Sequence, residues 1–72
     1  MTENARKEAA MHYLGMAIAS TRAGSGLRLL CWDPEKEIVR AEFAGGMTQT
    51  INVAGDSEWA MIKDVIGHII LG

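Results

Sequence analysis

Hydrophobic and polar positions follow two different periods along this chain. Between Thr2 and about Arg22, Ala10, Tyr13, Leu14, Ala17, Ile18 and Thr21 recur at steps of three and four among good helix formers without proline. That spacing predicts an amphipathic helix. Thr2 or Asn4 is suited to cap its start by accepting from a free backbone amide, and Gly24 or Gly26 to end it in the left-handed conformation. Leu27 to Trp32 is an almost unbroken apolar run, and Asp33-Pro34-Glu35-Lys36 behind it suits a type I turn. Ile38 to Phe43 then alternates Val39, Ala41 and Phe43 with Arg40 and Glu42, the period-two signature of a strand with one buried face. After Gly45-Gly46, the stretch from Met47 to Val53 places Met47, Ile51 and Val53 on one side, with Gln49 as the polar exception. Thr48, Thr50 and Asn52 lie on the other. Asp56 is the expected N-cap of a last helix from Ser57 to about Leu71, whose stripe is Trp59, Ile62, Val65, Ile66, Ile69 and Ile70. Lys63, Asp64, Gly67 and His68 point outward.

Residues opposite one another in an antiparallel pair share a face, so the pattern also predicts register. Phe43 matches the apolar side of the third strand only if the second hairpin loop holds an odd number of residues. Three residues, Ala44 to Gly46 or Gly45 to Met47, meet that condition with a glycine-bulged turn. The same test on the first hairpin favours a five-residue loop, Asp33 to Glu37, aligning Leu27, Leu29 and Cys31 with Phe43, Ala41 and Val39. The expected architecture is a single α+β domain spanning residues 1–72 in the order α-β-β-β-α. It is a three-stranded antiparallel meander with two helices on its apolar face and the other face open.

Length sharpens this picture. A chain of 72 residues buries only about 60% of the surface its unfolded form exposes, so an oligomer interface would add useful burial. The single cysteine, Cys31, excludes an intrachain disulfide framework. The charged start, Met1 to Glu8, is not followed by an apolar run of signal-peptide length, and no stretch approaches the roughly 20 apolar residues of a membrane span. The expected location is the cytoplasm. A formal charge of −2 supplies no global attraction for nucleic acid or anionic lipid.

Candidate chemistry is sparse. Ala23-Gly24-Ser25-Gly26 has the composition of a phosphate loop, but it follows a helix and precedes a strand, the reverse of the order that aims helix amides at an anion. His12 and His68 lie on different helices, each with one carboxylate four residues earlier, Glu8 and Asp64. That suits solvated i,i+4 pairs and falls short of a zinc ligand set. Cys31, in an apolar strand, reads as a small buried hydrophobe without a neighbouring base, and Met11, Met16 and Met61 as core filling. The scattered acidic residues form no dyad. The expectation is no catalytic residue, no metal and no cofactor.

The open sheet face is what remains. On the expected registers it carries Arg28, Leu30, Trp32, Ile38, Arg40 and Glu42, with Arg28 opposite Glu42, Leu30 opposite Arg40 and Trp32 opposite Ile38. Tryptophan and arginine are enriched at binding hot spots, and an uncovered apolar patch costs solubility. The expected function is therefore a non-enzymatic protein-interaction module. It would be a homodimeric accessory or regulatory factor joined through the open face or the edge of Leu27 to Trp32. Its most specific form is a small inhibitor or adaptor of a phage or mobile element. The alternative is a nucleic-acid-binding module in which Arg28, Arg40 and Trp32 form a stacking platform.

The element order resembles the topology of double-stranded-RNA-binding domains over nearly the whole chain. Those domains carry a lysine-rich start to the second helix and a Gly-Pro-x-His-type loop between the first two strands. The corresponding positions here hold Asp56-Ser57-Glu58-Trp59 and Asp33-Pro34-Glu35-Lys36, and an acidic helix start repels phosphate. The resemblance therefore implies the architecture alone.

Overall fold

The computed structural model describes residues 2–71. Helix α1 (Glu3–Ala19) is followed by strands β1 (Leu27–Asp33), β2 (Ile38–Phe43) and β3 (Thr48–Asn52) and by helix α2 (Glu58–Ile69). The strands form one antiparallel sheet in the order β1-β2-β3, as the α+β, α-β-β-β-α reading expects.

Local chemistry sets the ends of α1. The Thr2 hydroxyl accepts from the Ala5 amide at 3.1 Å, an N-cap. At the far end the helix stops at Ala19 rather than running to Arg22. The Thr21 hydroxyl donates to the Ile18 carbonyl at 2.6 Å and accepts from the Gly24 amide at 3.0 Å, satisfying groups a helix end leaves free. Gly24 is buried there, and only glycine fits, because a Cβ would collide with both the Cγ2 and the carbonyl oxygen of Ile18.

The buried arc of α1 is Lys7, Met11, Gly15 and Ile18, with Ala10 and Leu14 of the expected stripe packed against the core beside it, whereas Tyr13 and Ala17 face water. In α2, Met61 and Val65 are buried and Trp59 is not. Ser57, rather than Asp56, caps α2, its hydroxyl accepting from the Ala60 amide at 3.2 Å. These side chains meet Leu27, Leu30, Trp32, Val39, Ala41, Ile51 and Val53 in one core on one face of the sheet. Here α1 lies against β1, and α2 against α1 and β3.

The second hairpin has the expected three-residue loop, Ala44 to Gly46. The Phe43 amide donates to the Met47 carbonyl at 2.8 Å, and Gly45 and Gly46 hold φ of 87° and 85°, a region glycine enters at little cost.

The first hairpin departs from expectation. Asp33 pairs with Ile38, Trp32 with Val39 and Leu30 with Ala41, so the loop is the four residues Pro34 to Glu37 and the register is one residue from that expected. Two features allow this. Glu37 takes a left-handed φ of 53°, closing a loop that the Asp33 carboxylate braces by accepting from the Glu35 and Lys36 amides at 3.0 and 3.3 Å. A bulge between Leu27 and Leu29 inserts Arg28 as an extra residue, which keeps Leu27 on the core face beside Leu30 and Trp32.

Candidate protein-interaction surface

The shifted register decides where each expected surface residue lies. Leu30 and Trp32 are corrected to core positions, 4% and 9% exposed, because Ala41 and Val39 opposite them face the helices. Arg40 remains exposed on the open face, where its guanidinium pairs with Glu42 at 3.3 Å, and Ile38 and Glu42 are half-buried there. Arg28 is exposed at the bulge and is not paired across to Glu42, whose opposite neighbour is Leu29.

Leu29, Cys31 and Asp33 therefore take the outward places of β1, in line with Glu42, Arg40 and Ile38. Cys31 is exposed, not the buried hydrophobe expected of it. A shallow hollow of about 420 Å³ opens at the turn end of this face between Cys31, Asp33, Lys36, Ile38, Arg40 and Thr50.

Beside this face lies a second surface that periodicity did not indicate. β1 is an edge strand, so its outer side pairs with no other strand, and α1 runs directly above it. The two are close at Gly15, where an added Cβ would meet Leu30 at an ordinary contact distance of 3.5 Å. The flank of α1 carrying His12, Met16 and Ala19 overhangs the edge and, with Arg28 and Leu29, walls a groove of about 170 Å³. Met16 is 60% exposed and Leu29 44%; Tyr13, one turn before Met16 on α1, is 67% exposed with its ring edge-on to His12 at 5.3 Å. The bulge at Arg28 and the overhanging α1 are two of the devices by which proteins blunt an apolar strand edge. The signal for it was present in Leu27 to Trp32, where every residue except Arg28 is apolar, but such a run does not say which alternate residues face out.

No protein-family model, no curated protein and no solved structure matches the chain, so the topological likeness to double-stranded-RNA-binding domains carries no function with it.

The polar interior is equally specific. Lys7 is 5% exposed, yet its Nζ donates to the Asp56 carbonyl at 2.9 Å, pairs with Glu3 at 3.2 Å and lies 5.1 Å from the centre of the Trp32 ring. Its aliphatic stem is buried while each part of the charged head has a partner. Trp32 Nε1 and Asp56 Oδ2 are shielded without a hydrogen-bond partner. Folding also brings together two carboxyls that the sequence shows only as scattered. The neighbouring Asp64 carboxyl favours the protonated form of Asp56 and raises its carboxyl above its ordinary value, desolvation and the Asp64 charge add to this, and Lys7 opposes it.

His68 turns its Nδ1 to the Asp64 carbonyl at 3.0 Å rather than to the Asp64 carboxylate. Met11 and Met61 fill the core as expected, whereas Met16 does not. Among the described residues, no three His, Cys, Asp or Glu side chains converge as a metal site would require, and no helix is long and apolar enough to cross a membrane.

Proposed function

We propose that this chain is a small protein-interaction module without catalysis of its own, acting as a homo-oligomer in the cytoplasm. The observation that carries this reading is the groove at the edge strand β1 in which Met16 and Leu29, both exposed, lie together. Apolar side chains at an open strand edge gain both burial and backbone hydrogen bonds when a partner covers them. The exposed Cys31 fits a reducing compartment, where it stays a thiol. The nucleic-acid alternative has lost its stacking residue, because Trp32 lies in the core.

Light scattering over a concentration series tests the reading. The parent protein is expected to give the mass of a dimer, and Met16→Glu, which places a charge on the exposed flank of α1, that of a monomer with unchanged circular dichroism. A parent that remains monomeric at every concentration overturns it.

A further inference from the structure

We infer that the outward side of α1 packs antiparallel on α1 of a second copy, giving a dimer in which both helical layers lie between the two sheets. This inference rests on the interaction reading above and names its geometry.

Helix α1 is apolar on two sides. The stretch from Ala9 to Thr21 holds no Asp, Glu, Lys or Arg, yet only Met11, Gly15 and Ile18 of it are fully buried. A helix without a charged outer side is one that something covers. At about 100° per residue, Ala9, Tyr13, Met16 and Ser20 line up on the side of α1 opposite Met11 and Ile18. Tyr13, Met16 and Ser20 are exposed and Ala9 is half-buried. Their spacing of four, three and four is the repeat by which helices pack on one another. The Ser20 hydroxyl already donates to the Ala17 carbonyl at 2.7 Å, so covering this seam strands no donor there.

Charge, symmetry and area together select the occupant. A strip without charge gives a charged partner nothing to recognise, and two copies of an acidic chain meet on it without like charges opposed. The seam reads small, large, large, small in both directions. Under a two-fold axis between Tyr13 and Met16, each Tyr13 meets Met16 of the other copy in an aromatic–thioether contact, and each Ala9 meets Ser20. The reversed direction also opposes the two helix dipoles. A long side of the 31 × 19 × 18 Å molecule offers about 600 Å², so two copies together cover more than the roughly 1,000 Å² of a specific interface. A lone helix from another protein is only about 10 Å wide and covers about half of that. Because the sheets lie on the far sides of the helices, the β1 edge and the α1 overhang stay outside the contact.

Met16 borders both this seam and the β1 groove, so the test uses one residue from each: Tyr13 lies outside the groove, and Leu29 lines it. Light scattering is expected to show a dimeric parent, a mass halved by Tyr13→Glu with unchanged circular dichroism, and a dimer retained in Leu29→Glu. A dimer that survives Tyr13→Glu overturns the helix interface. If Leu29→Glu then halves the mass, the partner sits at the β1 edge and the interaction reading stands. A parent that is monomeric at every concentration overturns both. For direction, an equal mixture of Tyr13→Cys and Met16→Cys, each also carrying Cys31→Ser, is oxidised with oxidised glutathione. The expected disulfide joins position 13 of one copy to position 16 of the other, whereas a link between two positions 13 makes the helices parallel and overturns the proposed axis.

Discussion

Two glycines in this chain look equivalent in sequence and behave oppositely in space. Gly15 lies mid-helix, and a methyl group there would meet Leu30 at ordinary contact distance, 3.5 Å. Gly15→Ala is therefore expected to stabilise the protein by about 0.5–1 kcal/mol through reduced unfolded-state entropy, measured as a higher urea midpoint. Gly24→Ala drives a side chain into Ile18 and is expected to cost on the order of 2–4 kcal/mol in the same melt. A third residue-scale effect belongs to Asp56. Its carboxyl holds a proton more readily folded than unfolded, so its contribution to stability is complete below the ordinary value of 3.8 and is lost as pH rises through the raised folded value. Asp64→Asn removes the like-charged neighbour. The variant is expected to unfold at higher urea than the parent at pH 7, with the difference shrinking in acid; equal midpoints at both pH values would show the two carboxyls to be independent.

At the scale of elements, the first hairpin is where the fold is most constrained. The bulge at Arg28 and the left-handed Glu37 together turn Leu30 and Trp32 inward, and Lys7 of α1 then sits over the Trp32 ring while gripping the loop before α2. One side chain thus links the first helix, the edge strand and the β3–α2 connection. Trp32→Glu would replace the packed indole by a smaller, charged side chain and leave a cavity in that junction. With a total stability of roughly 4–10 kcal/mol for a domain of this length, the variant is expected to lose its cooperative thermal transition. Retention of a native circular dichroism spectrum would contradict the core assignment.

The whole molecule has a radius of gyration of 11.3 Å, against about 11 Å for a compact chain of its length. It nevertheless exposes 4761 Å², more than the roughly 4,400 Å² usual for its mass. The elongated 31 × 19 × 18 Å shape leaves one long side bearing the β1 edge and the α1 flank. Covering that side by a second copy is an economical way for so small a domain to bury more apolar surface, and the light-scattering mass reads that directly.

Much of this architecture is legible in the residues themselves. Three-and-four spacing in the helices, alternation in Ile38 to Phe43 and the Gly45-Gly46 pair each encode local backbone geometry, so element order and the second hairpin follow from short-range chemistry. The facing of β1 does not. Leu27, Leu29, Leu30, Cys31 and Trp32 are all apolar, so either alternating set could be buried at similar local cost. The decision lies with contacts distant in sequence: α1 closing on Leu30 at Gly15, Val39 and Ala41 opposite Trp32 and Leu30, and Lys7 over the indole. The same long-range packing leaves Leu29 and Cys31 outward and Met16 beside them. Local sequence therefore determined the elements, and only tertiary packing decided which apolar residues form the surface, because burial is a property of the assembled layers and not of any one strand.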